Sequence, residues 1–362
     1  MSYYYQAAKG QMDIWRQSRS IAEILDQEPE DSELAQRLRL VQDILHYAHT
    51  ELALPNTGSY RRYADLKRPY VVWNLFAAPE LSLEPKQWCY PLLGCLSYRG
   101  YFKLEDAQAE AHQLEQQGWD TYVGGVLAYS TLGWFEDPVL NTFWQLDDAG
   151  LAALIFHELA HVVAFVADDT TFNESFATAV EIYGTGRWLA HQAPRALGED
   201  PQHLRLLQAR FEQRQQVFNL VSESAEQLRQ LYASDLPDSA KREGKQRLFQ
   251  ELQARYFQLR QSWGADLGFD AWFQTPISNA KLITLTSYYD AVPAFLEKIR
   301  QLDGDLPAFY RWVRQLAEQP KAERDEILAQ LAAAQPAMVQ PASEMGQGKG
   351  QPEAAPAVPG SF

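Results

Sequence analysis

Residues 151–165 read Leu-Ala-Ala-Leu-Ile-Phe-His-Glu-Leu-Ala-His-Val-Val-Ala-Phe, a sequence that is apolar throughout except at His157, Glu158 and His161. Both residues at 147–148 are Asp, which suits the N-cap and the first turn of an α-helix. A helix that is apolar on every side is typical of a protein interior. Three ionisable side chains in such a helix are costly to bury unless a partner compensates them, and a divalent metal ion is the simplest compensation.

The spacing of the two histidines favours one shared ion. Positions four apart on an α-helix point about 40° from each other and lie about 6 Å apart along the axis, so His157 and His161 face the same side. Glu158 points about 100° away from His157, which places it beside the ion, where a general base can take a proton from water. Chance produces a His-Glu-x-x-His pattern only about 0.02 times in a chain of this composition. The alternative is a hydrogen-bonded His pair in the core without a metal.

A catalytic zinc ion usually has three protein ligands and one open position. A histidine six residues after His161 would supply the third ligand, but Ala167 occupies that position. Residues 168–171 predict a turn, after which the helical pattern resumes, so the two helices form an antiparallel pair. Glu174 then faces His161 across the pair and is the expected third ligand. Glu181 lies on the same helix face about 10 Å farther along and is the alternative ligand.

The rest of the chain predicts a predominantly helical α+β fold. Apolar residues recur every three or four positions near both ends, whereas the intervening part is rich in β-branched and aromatic residues. We expect one unit over residues 1–334 and a disordered tail at 335–362, where Pro, Gly, Ala and Gln dominate. In chain order, the unit consists of N-terminal helices (1–58), a part with a small β-sheet (60–137), the helix pair of the metal site (147–191), a long helical hairpin (201–262) and C-terminal helices (270–334).

The composition disfavours several classes of partner. The 362 residues include 32 Lys and Arg against 47 Asp and Glu, a net charge of −15, and such an acidic surface repels nucleic acid. The longest apolar run, at 151–167, is short for a bilayer and carries three ionisable side chains, so we expect no membrane span. The N-terminus has neither the basic region nor the apolar core of a signal peptide.

Two segments resemble a known class of metallopeptidase. His-Glu-Leu-Ala-His at 157–161, followed by Phe-Asn-Glu-Ser-Phe-Ala at 172–177, is similar to the gluzincins. The similarity is greatest to zinc aminopeptidases, in which an Asn-Glu-Gly-Phe-Ala stretch supplies a glutamate ligand. Over residues 3–334 the chain further resembles a bacterial family of predicted aminopeptidases, for example at 68–74, which read Arg-Pro-Tyr-Val-Val-Trp-Asn.

This resemblance implies a gluzincin-like fold and a zinc-dependent peptidase, most simply an aminopeptidase with a peptide substrate. It implies that His157, His161 and Glu174 bind one Zn²⁺ ion and that Glu158 is the catalytic base. Members of the bacterial family often begin with a lipoprotein signal. The resemblance therefore also implies export, either to the periplasm or to a lipid anchor on the cell envelope that the precursor would carry.

Further residues are candidates for substrate binding and catalysis. Tyr288 or Tyr289 could donate a hydrogen bond to the oxyanion of the transition state, or both could simply pack or lie at the surface. Gly125 and Tyr129 belong to a predicted strand that could pair with an extended substrate if it lies at a sheet edge. The alternative for that strand is the interior of a hairpin.

Cys89 and Cys95 allow two interpretations. They form either a small-loop disulfide, which needs an oxidising compartment, or a pair of buried thiols. An exported location would suit the disulfide.

Two other functions share the same residues. One is a non-catalytic scaffold of the cell envelope, with a structural zinc ion or a partner bound by the helical hairpin. The other is a zinc amidase that acts on a non-peptide substrate. The presence of Glu158 beside the ion favours a catalyst, because a scaffold needs no general base.

Overall fold

The computed structural model describes residues 10, 12–90, 94–128, 136–199, 201–263, 269–286 and 291–334. Most of these residues are helical, and short strands form small sheets among the helices. The predominantly helical α+β fold predicted from the sequence is therefore confirmed. The predicted tail at 335–362 lies outside the described residues.

Helices begin near the N-terminus and dominate the second half of the chain. A helical stretch covers residues 12–17. The helices that follow are α1 (Ile21–Gln27), α2 (Glu33–Thr50), α3 (Leu104–Glu115), α4 (Asp148–Val163), α5 (Thr170–Glu199), α6 (Pro201–Ala233), α7 (Asp238–Gln261), α8 (Asp270–Gln274), α9 (Asn279–Thr286), α10 (Val292–Gln301), α11 (Leu306–Ala317) and α12 (Lys321–Ala333). Among the helices of the described residues, none combines the length and the apolar character that crossing a bilayer requires.

The strands of the described residues form three small sheets. The strands are β1 (Arg19–Ser20), β2 (Arg62–Ala64), β3 (Val72–Pro79), β4 (Trp88–Tyr90), β5 (Gly94–Leu96), β6 (Arg99–Tyr101), β7 (Trp119–Val126) and β8 (Val139–Leu140). The sheet orders are β1-β2-β8, with β2 and β8 parallel, and the antiparallel sheets β6-β3-β7 and β4-β5. Strand β1 lies in the part predicted to be helical, because Arg19 and Ser20 pair with β2 instead of continuing a helix.

Helix α4 lies in the main hydrophobic core, where most of its residues are buried. It begins where the sequence predicted, because the Asp147 side chain accepts a hydrogen bond from the Gly150 N–H at 2.8 Å. Arg37 of α2 forms an ion pair with Asp148 at 2.9 Å. Arg210 of α6 contacts Asp147 at 3.3 Å. These ion pairs connect the start of α4 to α2 and α6.

Helices α6 and α7 pack on each other and are joined to one end of the β6-β3-β7 sheet by buried polar groups. Lys245 of α7 is buried, and its Nζ lies 2.7 Å from an oxygen of Asp120 in β7. The buried Asn279 amide donates hydrogen bonds to carbonyl oxygens within residues 79–82 and accepts one from the Tyr232 hydroxyl at 2.8 Å. The long helical hairpin is thereby fixed to the sheet.

Phe176 anchors the start of helix α5 in the same core as α4. Its side chain is 0% exposed, and its ring centroid lies 5.8 Å from that of Phe295 and 5.9 Å from that of Phe309. Phe165, just after the end of α4, is by contrast 37% exposed. The packing of Phe176 therefore holds the first turns of α5 in place.

Replacing Phe176 by Ala is expected to lower the free energy of unfolding by about 3–5 kcal/mol, because the change leaves a cavity in a packed aromatic cluster. Phe165→Ala is the matched control, and its loss should be about 1 kcal/mol because the ring is partly exposed. Urea-induced unfolding measures both values. Equal losses in the two variants would contradict this description of the core.

Candidate metal centre

Two imidazole rings from α4 meet at the centre of the candidate site. Both side chains are buried, and Nε2 of His157 lies 3.2 Å from Nε2 of His161. The rings are steeply inclined to each other, with 80° between their planes. The spacing of four residues thus brings two ligand nitrogens together on one face of the helix, as the sequence predicted.

Glu174, from the first turns of α5, completes a triangle of ligand atoms. Its Oε2 lies 3.3 Å from Nε2 of His157 and 3.8 Å from Nε2 of His161. Ligand atoms about 2.0–2.1 Å from a tetrahedral zinc ion are separated by about 3.3 Å from one another. The three side chains therefore match the donor types and the spacing that Zn²⁺ requires, and they could hold a metal ion.

Glu181 contacts the opposite side of the same imidazole. Its Oε2 lies 3.0 Å from Nδ1 of His157. The two carboxylates thus lie at different nitrogens of one ring, with Glu174 among the ligand atoms and Glu181 behind the ring. A carboxylate in the position of Glu181 fixes the orientation of a metal-binding histidine and raises its basicity.

The turn between α4 and α5 is held by side chains that the sequence did not reveal. The buried Asn173 amide accepts a hydrogen bond from the Val166 N–H at 2.8 Å and donates one to the Val166 carbonyl at 2.7 Å. The buried Asp169 accepts a hydrogen bond from the Phe172 N–H at 3.2 Å and pairs with Arg324 at 2.7 Å. These contacts set the start of α5 relative to the end of α4, and so set the distance from Glu174 to the histidines.

The protonation states of the metal-free site follow from burial and from the two carboxylates. Burial lowers the pKa of His157, but Glu174 and Glu181 outweigh it, so the pKa lies well above the usual value. Burial lowers the pKa of His161 to about 4. Burial raises the pKa of Glu174, but the hydrogen bond with His157 and the charges of His161 and His157 together outweigh it, so the pKa lies below the usual value. In the metal-free protein, a proton on His157 therefore supplies the positive charge between Glu174 and Glu181 that a bound cation could supply instead.

Glu158 lies next to the ligands and is suited to proton transfer. The side chain is partly exposed, and burial raises its pKa to about 7, while the charge of His157 lowers it and that of Glu174 raises it further. A carboxyl group with a pKa near neutrality can both accept and release a proton under ordinary conditions.

The remaining predicted residues are partly within the described structure. Gly125 lies in β7 opposite Trp73 of β3, and the Tyr70 ring covers its Cα. Because β7 is the last strand in the order β6-β3-β7, one of its edges has no strand neighbour among the described residues.

Cys89 and Cys95 face each other across β4 and β5 and form a disulfide. Three predicted residues lie outside the described ranges, namely Tyr129, Tyr288 and Tyr289.

A protein-family model, described as "putative aminopeptidase", matches residues 2–328 of the chain. The chain belongs to the putative aminopeptidase family. No curated protein and no solved structure matches it. The resemblance to a family of predicted aminopeptidases is thus confirmed, and membership in the family indicates a peptidase with a peptide substrate. The gluzincin fold stays a prediction.

For this member of the putative aminopeptidase family, we expect Glu174→Ala to lose Zn²⁺ and Glu181→Ala to retain it. Loss of Glu174 removes one of three ligand atoms, whereas loss of Glu181 removes only the support of a ligand and should weaken affinity by about 10–100-fold. Each variant is the matched control of the other, because both remove a Glu from the same face of α5. Metal analysis and competition with a zinc chelator measure the two effects. A Glu181→Ala variant that alone loses zinc would overturn the assignment.

Zinc binding is also expected to release a proton near neutral pH. In the metal-free protein the raised pKa of His157 keeps its imidazole protonated at about pH 7, whereas His161, with a pKa of about 4, is neutral. The ion must displace the His157 proton, so the affinity for Zn²⁺ falls as the pH falls below that raised pKa. Titration calorimetry in two buffers of different ionisation enthalpy measures the released proton. Equal heats in both buffers would contradict the prediction.

Proposed function

We propose that the protein is a zinc-dependent peptidase, most simply an aminopeptidase, and that Glu158 is its general base. The observation that carries the proposal is the triangle of ligand atoms from His157, His161 and Glu174, with a carboxyl group of pKa about 7 beside it. Membership in the putative aminopeptidase family supports a peptide substrate. The residues expected to hold the ion are the same three that the sequence predicted.

A bound zinc ion would supply a Lewis acid that makes a water molecule more acidic and polarises a carbonyl group. With the ion bound, Glu158 would accept a proton from the attacking water and then give it to the leaving amine. Glu181 keeps the His157 ring oriented through Nδ1, so that Nε2 stays directed at the ligand position. Glu158 would thus transfer the proton, Glu181 would orient the His157 ring, and His157 would bind the ion.

One edge of β7 pairs with no other strand among the described residues, and this supports a place for the substrate there. An extended peptide can add to a sheet edge through backbone hydrogen bonds, and Gly125 lies in that strand. We propose that Gly125 and Tyr129 bind the substrate in this way. Tyr288 or Tyr289 is the proposed donor to the oxyanion, since a negative charge forms on the carbonyl oxygen during attack.

We further propose that the protein works in an oxidising compartment, either periplasmic or anchored by lipid to the cell envelope. The disulfide between Cys89 and Cys95 supports this location, because disulfides persist mainly outside the reducing cytosol.

Glu158→Gln is expected to keep zinc and to lower the kcat for peptide hydrolysis by about 10²–10⁴-fold, because it removes the proton acceptor while preserving shape. Glu23→Gln, at an exposed position of α1, is the matched control and should retain full activity. Turnover is measured on peptides with free and with acetylated N-termini, together with non-peptide amides. Cleavage of free N-termini alone supports an aminopeptidase.

Other outcomes separate the alternatives. Unchanged peptide hydrolysis in Glu158→Gln would refute the proposed base. Hydrolysis of the non-peptide amides alone would favour an amidase. A wild-type protein that binds zinc fully and cleaves none of these substrates would favour a scaffold.

A further inference from the structure

The disulfide-closed hairpin of β4 and β5 contacts the turn between the two helices of the metal site. The Cys95 N–H donates a hydrogen bond to Oδ1 of Asp168 at 2.5 Å. The neighbouring Gly94 has a φ of +74°, and a Cβ at that position would lie 2.5 Å from Oδ1 and 3.1 Å from the backbone nitrogen of Asp168. The hairpin backbone therefore rests directly on the turn, and only a glycine fits at this contact.

Asp168 has the backbone conformation and the position needed to transmit this contact. Its φ is +65°, a left-handed conformation that Asp and Asn tolerate better than most residues. Val166 on one side is held by Asn173, and Asp169 on the other side is held by Arg324. Asp168 is thus the residue through which the hairpin adds a further contact to this turn.

The disulfide constrains a short hairpin that also packs against a hydrophobic cluster through Trp88. Its strands have three residues each and form a two-stranded sheet that no other described strand extends. The disulfide between Cys89 and Cys95 closes the hairpin and so limits where the Cys95 N–H can lie.

We propose that Asp168 is a positioning residue of the metal site, through which the disulfide-closed hairpin holds Glu174 at its distance from His161. The inference rests on the metal site of the proposed function. Opening the disulfide frees the Cys95 N–H, loosens the turn and weakens metal binding. The closed disulfide thereby contributes to the affinity of the site for zinc.

The test measures the dissociation constant for Zn²⁺ by competition with a chromophoric chelator. A water-soluble phosphine opens the disulfide to two thiols, while the phosphine becomes a phosphine oxide with its oxygen from water, and it is removed before the titration. Asp168→Gly deletes the acceptor but permits the positive φ, whereas Asp168→Asn keeps both an acceptor oxygen and the φ. Cys89→Ser/Cys95→Ser reproduces the open hairpin without a reductant.

Reduced wild type, the double Cys variant and Asp168→Gly are each expected to bind zinc roughly fivefold more weakly, the change that the loss of one hydrogen bond produces. Asp168→Asn should bind like the wild type. Opening the disulfide in Asp168→Gly should cause no further loss, because both changes break the same connection. If the disulfide acted independently of Asp168, the loss of zinc affinity on reduction would add to the loss caused by Asp168→Gly.

Two results would overturn the proposal. One is zinc binding by Asp168→Gly that equals the wild type, and the other is an equal loss on reduction in the wild type and in Asp168→Gly. Thermal unfolding of the metal-free proteins checks the fold. If Asp168→Gly is unfolded, the double Cys variant decides, because zinc binding equal to that of the disulfide-closed wild type would overturn the proposal. Since no measurement here uses peptide turnover, a protein with these affinities but without hydrolysis would refute the peptidase and leave the positioning role intact.

Discussion

His157 lies between two carboxylates, and the rest of the site depends on this contact. Glu174 is 3.3 Å from Nε2 and Glu181 is 3.0 Å from Nδ1 of the same ring. Burying these charged groups in an apolar core is costly unless positive charge lies among them. In the metal-free protein a proton on His157 supplies that charge, and we infer that a divalent ion supplies it when bound. In this arrangement Glu174 is the candidate metal ligand, whereas Glu181 supports the orientation of the His157 ring.

The distances at the site are maintained by contacts from several parts of the chain. Arg37 and Arg210 fasten the start of α4, and Asn173 fixes the turn that follows the helix. Arg324, from α12, reaches the buried Asp169 in that turn. A metal site tolerates little change in the positions of its ligands, and these surrounding contacts provide the required rigidity. The candidate ligands thus lie on α4 and α5, whereas the distances between them depend on contacts from other helices.

The sequence predicted those parts of the site that local spacing determines. The two histidines share a helix, so helical geometry alone brings their nitrogens together, and a short turn brings Glu174 to them. The roles of Arg324 and of the contact between Cys95 and Asp168 were beyond prediction, because each joins residues far apart in the chain. Strand β1 was missed for the same reason, since its two residues are extended only through pairing with β2.

The position of a bound Zn²⁺ ion tests the proposed site most directly. Crystals grown with zinc and measured at the zinc absorption edge should show one anomalous peak about 2.0–2.2 Å from Nε2 of both histidines and from a Glu174 oxygen. Glu181 should remain at Nδ1 of His157. No peak at this position, or a peak bound by Glu181 in place of Glu174, would contradict the proposed metal centre.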